Sequence, residues 1–200
     1  MQDFLTPLFE QFKQTTYPEW LATITGLTCI YLAAKENIWN WPIGIINVCC
    51  FAYIFIQNKI YGDALLQAYF LSTCIYGWYY WNKRAHTDEK PIVSLKPKGW
   101  LLTILAVLLL GSIFGLLLDK YTDSDVAYPD GFCVATSLVA QFLMTRKILE
   151  NWLLWVFVDI CYIPLFFYKG LLLTTILFII YTFLAWNGYR SWKRTYDKFA

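Results

Sequence analysis

The stretch that decides the fold is NWPIGIINVCCFAYIFIQ, residues 40–57, which is apolar except for three amide side chains. A related stretch, NWLLWVFVDICYIPLFFY, occupies residues 151–168, and a shift of 111 positions aligns residues 20–81 with residues 131–192 without a gap. The identical pairs include Thr25 and Thr136, Leu32 and Leu143, Asn40 and Asn151, Trp41 and Trp152, Phe55 and Phe166, Gly77 and Gly188, and Trp81 and Trp192. The chain therefore contains an internal repeat, and weak repeats in apolar chains are typical of membrane transporters.

The composition indicates an integral membrane protein. Hydrophobic residues make up 58% of the chain and charged residues 15%, whereas soluble domains are about half apolar and about a quarter charged. Runs such as LLTILAVLLL, residues 101–110, lack the alternation of a membrane β-barrel strand. The apolar stretches, each close to the roughly 20 residues of a membrane-spanning helix, are 17–34, 39–57, 62–81, 100–118, 128–145, 152–168 and 171–189. The sequence predicts an all-α protein with seven transmembrane helices.

The distribution of Lys and Arg predicts the orientation, because cytoplasmic loops are enriched in these residues. With the N-terminus outside, twelve of the sixteen positive charges fall on the cytoplasmic side. These twelve are Lys35, Lys83, Arg84, Lys90, Lys96, Lys98, Arg146, Lys147, Arg190, Lys193, Arg194 and Lys198. The longest outer loop is acidic instead. We therefore expect an outer N-terminus and a cytoplasmic C-terminus.

The predicted spans give a 3+1+3 arrangement of two parallel repeats. The segments are an amphipathic N-terminal segment 1–16, a first three-helix repeat 17–81, a basic cytoplasmic loop 82–99, a linking helix 100–118, an acidic outer loop 119–127, a second three-helix repeat 128–192 and a cytoplasmic tail 193–200. The linking helix inverts the chain, so that both repeats enter from the outside. Two parallel repeats predict a pseudo-two-fold axis along the membrane normal, with a pathway between the halves.

The N-terminal segment carries apolar residues on one helical face. These residues are Phe4, Leu5, Leu8, Phe9 and Phe12. Their spacing predicts a short amphipathic helix at the outer surface, and the alternative is a frayed tail.

Polar side chains within the spans are the candidates for a binding site, because burying an unpaired polar group or charge is costly. Asp159 is the clear charge at mid-depth, and Asn47 and Gln67 are amides at depth. Helical spacing places Trp155 and Tyr162 on the same face as Asp159. The alternative for the three polar residues is a structural hydrogen bond between helices.

These patterns predict an aromatic, sparsely polar cleft between the halves. The candidate substrate-binding residues are Trp41, Asn47, Gln67, Trp152, Trp155, Asp159, Tyr162, Tyr181 and Asn187. Trp and Tyr faces attract aromatic and especially cationic rings, and amides and carboxylates bond sugar hydroxyls. Other Trp residues lie at span ends, as in an interfacial aromatic belt. The cleft is expected to take a flat ring that carries hydroxyl groups.

Signatures of enzymes, metal sites and cofactor sites are missing from the sequence. The single histidine, His86, lies in the basic loop, and the six cysteines fall inside the spans without the spacing of a zinc site. No phosphate-binding loop occurs, which excludes an ATP-driven pump within this chain. We expect no catalytic residues, no metal and no cofactor, and we expect passive or facilitated movement of a substrate.

Several short motifs in combination resemble the PnuC family of bacterial vitamin B3 transporters. They are WPIGI at 41–45, YGDxxLQ at 61–67, YGWYxW at 76–81, ENWxxW at 150–155 and KG at 169–170. The resemblance runs over all seven predicted spans. It implies a 3+1+3 fold like that of the SWEET sugar transporters, a homotrimer in the bacterial inner membrane, and uptake of nicotinamide riboside by facilitated diffusion. A cytoplasmic kinase that phosphorylates the riboside would make this uptake one-way.

The nature of the substrate stays open at this point. Related family members carry thiamine or flavin, which are also flat rings, and thiamine is the nearer alternative because it too is cationic. A membrane-embedded enzyme or a scaffold is the alternative from another class. Nicotinamide mononucleotide is expected to be excluded, because a phosphate needs Arg or Lys in the cleft and every Lys and Arg lies in a predicted loop or at a span end.

Overall fold

The computed structural model describes residues 2–57, 59, 61–85, 91–123 and 125–199, and these residues form eight α-helices. The helices are α1 (Gln2–Gln14), α2 (Tyr17–Ala34), α3 (Asn40–Gln57), α4 (Tyr61–Arg84), α5 (Pro97–Tyr121), α6 (Ala127–Thr145), α7 (Asn151–Tyr168) and α8 (Leu172–Phe199). The all-helical prediction is confirmed. His86 lies outside the described residues.

The helices pack as two groups, with α2, α3 and α4 in one and α6, α7 and α8 in the other. Between the groups, α2 packs against α8 and α4 packs against α6. We call the end that holds the turns α2–α3 and α6–α7 the basic end, because Lys35, Arg84, Arg146 and Lys147 lie there. The other end, with the turns α5–α6 and α7–α8, is the acidic end.

Four of the helices are long and apolar enough, by length and composition, to cross a membrane. They are α3, α5, α7 and α8. All four coincide with predicted spans. Their presence in one chain is consistent with a multi-pass membrane protein.

Three helices continue beyond the predicted spans. Helix α4 ends at Arg84 instead of Trp81, α5 (Pro97–Tyr121) extends past both ends of the predicted span 100–118, and α8 continues through the predicted tail to Phe199. An ion pair of 3.2 Å between Lys193 and Asp197, one turn apart on α8, supports the extension. A hydropathy pattern marks where a helix leaves the membrane, and it carries no information on where the helix itself ends.

Helix α5 packs tightly against α6 through glycines. Gly111 and Gly115 are spaced as in the GxxxG pattern of close helix pairs. A Cβ atom at Gly131 of α6 would lie 2.4 Å from the backbone nitrogen of Gly115. Helix α5 therefore supports the second group.

The segment between α4 and α5 is docked on the turn between α6 and α7. The Val93 amide donates to the Lys147 carbonyl at 3.1 Å, and the Leu149 amide donates to the Val93 carbonyl at 2.9 Å. Glu150 accepts hydrogen bonds from the Ser94 hydroxyl at 2.5 Å and from the Leu95 amide at 3.0 Å. With Ile92 only 1% exposed, residues 91–95 cover part of the basic end.

The N-terminal segment forms helix α1, which contacts helices of both groups at the acidic end. The Gln11 amide donates to the Gly170 carbonyl at 2.7 Å and accepts from the Leu173 amide at 3.1 Å. Phe12 packs edge-on against Trp20, with 4.8 Å between the ring centroids. Helix α1 therefore joins the start of α2 to the start of α8.

Gln11→Ala is expected to destabilise the protein by about 1–2 kcal/mol, because it removes two hydrogen bonds that each contribute about 0.5–1.5 kcal/mol. Thermal unfolding in detergent, followed by tryptophan fluorescence, measures the change. Gln14→Ala is the matched control, since Gln14 is an exposed amide on the last turn of the same helix. Equal melting temperatures for the two variants would contradict a role for Gln11 in joining the helices.

Candidate functional site

A cluster of four tryptophans fills the core near the basic end. Trp41, Trp81, Trp152 and Trp192 are each at most 3% exposed, and we call them the tryptophan cluster. Trp41 packs edge-on against Trp81 at 5.2 Å between centroids, and Trp152 packs edge-on against Trp192 at 5.5 Å. The centroids of Trp81 and Trp192 are 5.8 Å apart. Trp41 and Trp152, which the sequence placed in the substrate cleft, therefore lie in a closely packed core.

Two indoles of the tryptophan cluster form hydrogen bonds with the other helix group. The Trp81 indole donates to the Met144 carbonyl at 3.3 Å, and the Trp192 indole donates to the Ala33 carbonyl at 2.9 Å. Ala33 and Met144 are themselves 111 positions apart. The two bonds are thus equivalent under the sequence repeat, and they join the two groups at the basic end.

A second convergence lies near the middle of the helices, where Asn47 and Tyr181 approach Gly26. The Asn47 amide donates to the Ala22 carbonyl at 2.6 Å and to the Thr25 hydroxyl oxygen at 3.1 Å. A Cβ atom at Gly26 would lie 2.9 Å from the Tyr181 hydroxyl and 3.3 Å from the Asn47 amide nitrogen. Three helices, α2, α3 and α8, therefore meet at this point.

Asp159 on α7 is a charged residue that interacts electrostatically with Tyr181 of this convergence. It is 6% exposed. Within the described part of the chain, the carboxyl group forms no hydrogen bond. Buried polar groups are normally hydrogen-bonded. A buried carboxyl group that lacks a partner in the protein can therefore bind a ligand.

Trp155 lies one helical turn from Asp159 and breaks the similarity of the two halves. It is partly buried, and its indole N–H has no acceptor among the described residues. The equivalent position in the first half is Gly44, where a Cβ atom would lie 3.2 Å from the Cys74 sulfur and 3.4 Å from the Cys29 sulfur. A tryptophan on one side and a glycine on the other make the space between the halves asymmetric.

Aromatic side chains continue from Tyr181 toward the acidic end. Phe178 contacts Tyr181 at 5.6 Å and Tyr162 at 5.4 Å between centroids, and Tyr162 stacks on Phe166 at 5.3 Å. The Tyr162 hydroxyl donates to Asp130 in the first turn of α6 at 3.0 Å. The Tyr162 side chain on α7 is thus held by a carboxylate of α6.

Two predicted residues do not join these contacts. Asn187 lies on an exposed face of α8, beside exposed Trp186. Gln67 is partly buried on α4 and forms no hydrogen bond within the described residues. Gly26, which the sequence analysis did not select, brings Asn47 and Tyr181 together, and a small residue in an apolar helix carries no other sign of such a role.

The described residues contain no group of three or more His, Cys, Asp or Glu side chains that could hold a metal ion. The chemistry that Asp159, Asn47, Tyr181 and Trp155 offer is that of binding: one carboxyl group, an amide, a phenol and an indole.

Comparison with known proteins identifies the family. The family model described as "Nicotinamide mononucleotide transporter" matches residues 16–194. The nicotinamide riboside transporter PnuC of Escherichia coli K12 is 34% identical, over 87% of this chain and 84% of its own length. The riboflavin/roseoflavin transporter RibM of Streptomyces davaonensis is 26% identical, over 92% of this chain and 87% of its own length.

A solved structure agrees with this relationship. The crystal structure of the vitamin B3 transporter PnuC superimposes with a TM-score of 0.76 at 26% identity, and it covers 98% of this chain and 91% of that chain. The resemblance found in the motifs is confirmed, and the relatives are transporters and not enzymes. The chain belongs to the PnuC family of multi-pass membrane transporters, whose family model is named for nicotinamide mononucleotide.

Proposed function

We propose that this protein carries nicotinamide riboside across the bacterial cytoplasmic membrane. The observation that carries the proposal is the buried Asp159 carboxyl group, which interacts electrostatically with Tyr181 and forms no hydrogen bond in the described part of the chain. The PnuC relatives of Escherichia coli and Neisseria mucosa are named for the same riboside.

The chemistry of the riboside fits the mid-depth convergence. Its pyridinium ring is cationic and flat, so the face of Trp155 can stack on it and Asp159 can offset its charge. Its ribose hydroxyls can bond the Tyr181 hydroxyl and the Asn47 amide. Gln67, Tyr162, Trp41, Trp152 and Asn187 remain candidate contacts of the open path, with Asn187 and the two tryptophans requiring the largest rearrangement.

The path is proposed to run between two parallel three-helix repeats within a seven-span, 3+1+3 protein. Equivalent contacts in the two groups support the repeat: Trp41 with Trp81, and Trp152 with Trp192. The basic end faces the cytoplasm in this proposal, because Lys and Arg are enriched on cytoplasmic loops. The protein is proposed to assemble as a homotrimer, as the family resemblance implies.

Transport is proposed to be facilitated diffusion. A proton relay normally uses a chain of titratable groups, and Asp159 stands apart from other carboxylates at mid-depth. Phosphorylation of the riboside by a cytoplasmic kinase would trap it, because the phosphate group would then lack a basic partner in the path. We accordingly propose that nicotinamide mononucleotide is excluded.

Titration calorimetry on the purified protein in detergent tests the proposed substrate. We expect nicotinamide riboside to bind at least tenfold more tightly than thiamine, riboflavin or nicotinamide mononucleotide. A tenfold ratio of dissociation constants corresponds to a difference of about 1.4 kcal/mol in binding free energy. Riboflavin is included among the tested ligands because the relative RibM is named as a riboflavin/roseoflavin transporter. Preference for thiamine or riboflavin would reassign the substrate within the family, and tight binding of the mononucleotide would contradict the proposed exclusion.

A further inference from the structure

Two residues and their own repeat equivalents meet at the basic end. Glu36 and Lys147 are 111 positions apart, and the Lys147 ammonium lies 3.3 Å from the Glu36 carboxylate. Trp81 and Trp192 are also 111 positions apart, with 5.8 Å between their ring centroids. Two points related by a two-fold axis are close together only where both lie near that axis. Both pairs therefore lie close to the axis that relates the halves.

We propose that the Glu36–Lys147 and Trp81–Trp192 pairs form the cytoplasmic gate of the transport path. The inference rests on the proposed function, in which the path runs along the axis between the repeats. In this structure the gate is closed.

The two pairs are in contact with each other. The Lys147 ammonium lies 4.6 Å from the centroid of the Trp81 ring, within the range of a cation–π interaction. The Trp81 and Trp192 indoles each donate a hydrogen bond across to the other helix group. Opening a path at this point requires the ion pair, the ring contact and these two crossing bonds to separate together. Such a linked set favours two discrete states over gradual widening.

Glu36 and Lys147 attract each other because the two halves carry opposite charges at these equivalent positions. Lys35 and Arg146 keep the same sign in both halves, whereas Glu36 and Lys147 are opposite. Two identical charged residues facing each other across the axis would repel.

The Lys147 side chain is 13% exposed and that of Glu36 21%. Burial lowers the pKa of the Lys147 ammonium, and the Glu36 carboxylate opposes that change. Removing either partner would leave a partly desolvated charge unpaired.

The backbone at both positions is unusual in the same way. Glu36 and Lys147 each have a φ angle of 54°, the left-handed conformation that favours glycine. Strained conformations of non-glycine residues cluster at functional and switching sites. Charged side chains occupy both turns where glycine would be less strained.

A reversible cross-link tests the gate. The six native cysteines are replaced by alanine, Glu36→Cys and Lys147→Cys are introduced, and a short reducible bismethanethiosulfonate reagent joins them in proteoliposomes. We expect cross-linking to lower the uptake of nicotinamide riboside at least tenfold and reduction to restore it. Binding measured by calorimetry should change less than threefold, because the site stays open to the other side. The matched control is Lys193→Cys with Asp197→Cys, an ion pair within α8 alone, where cross-linking should leave uptake within twofold.

Uptake that persists after complete cross-linking of positions 36 and 147 would overturn the gate. If the reduced double-cysteine protein is inactive, the charge swap Glu36→Lys with Lys147→Glu replaces it. Uptake lost in Glu36→Lys alone and recovered in the swap supports the gate, and equal uptake in both overturns it.

Different experiments can contradict the proposed function and the proposed gate. Proteoliposomes of the unaltered protein that take up no nicotinamide riboside would contradict the proposed function. Double electron–electron resonance then measures the distance between spin labels at positions 36 and 147, and this test of the gate needs no substrate. A second, longer distance in lipid supports the gate, and a single short distance overturns it.

Discussion

Asp159→Asn is expected to weaken the binding of nicotinamide riboside by about 10- to 100-fold and to reduce uptake accordingly. A hydrogen bond or ion pair to a charged group contributes about 1.5–3 kcal/mol, and each 1.4 kcal/mol is a factor of ten in affinity. The amide keeps the shape of the side chain and removes its charge. Calorimetry on the purified protein and uptake into proteoliposomes measure the two effects.

The control for Asp159→Asn is Asp197→Asn, which removes a carboxylate from an exposed ion pair on α8. Exposed ion pairs contribute little, so uptake should not change. Asp159→Glu keeps the charge and should recover part of the binding. If Asp159→Asn aggregates during size-exclusion chromatography, Asp159 acts as a structural contact between helices. If the variant binds the riboside like the original protein, the assignment of Asp159 to the site is wrong.

Gly77→Ala is expected to be among the most destabilising single substitutions in the chain. The added Cβ atom would lie 2.4 Å from two ring carbons of Trp41, which is far inside van der Waals contact. Trp41 is itself fixed between Gly77 and the edge-on Trp81 ring. Overpacking of a core costs about 1–3 kcal/mol, and we expect the upper part of that range. The loss is read as a lower melting temperature in detergent.

A double variant separates a clash from a general effect on helix α4. Trp41→Phe makes room for the added methyl group, so Gly77→Ala with Trp41→Phe should lose less stability than the sum of the two single variants. A coupling of at least about 1 kcal/mol is expected for residues in contact. Ala68→Leu, on an exposed face of α4, is the control and should have little effect. Additive losses would show that the two side chains are not in close contact.

The repeat predicts the same result in the other half. A Cβ atom at Gly188 would lie 2.7 Å from ring carbons of Trp152. Gly188→Ala should therefore lower the melting temperature about as much as Gly77→Ala, and Trp152→Phe should again relieve the loss.

Helical periodicity groups the residues that α7 contributes to the candidate site. The spacing of Trp155, Asp159 and Tyr162 places them on one face of α7, and all three are at least partly buried. Periodicity within one helix defines its faces, but it does not define how deeply a face is packed against other helices. For this reason the sequence did not separate Trp152, which is 1% exposed in the packed core, from Trp155, which is only partly buried.

The exposure of Asn187 shows the same limit. An amide near the end of a span is polar in an apolar setting, so the sequence proposed it as a substrate-binding residue, and the structure places it on an exposed face of α8. The rotation of a helix about its axis is set by its neighbours, here α2 and α7, and not by the polarity of one side chain.

The sequence by itself determined the membrane class, the all-helical fold and the family, because these depend on composition, period and motif spacing along the chain. Only the tertiary structure decided that Glu36 meets Lys147, that Trp81 meets Trp192 and that Asp159 is buried where it interacts electrostatically with Tyr181. These pairs join different helices or the turns that follow them, two of the three pairs across 111 positions. The physical reason is that close packing fixes the rotation and depth of each helix against its neighbours, which no local pattern encodes.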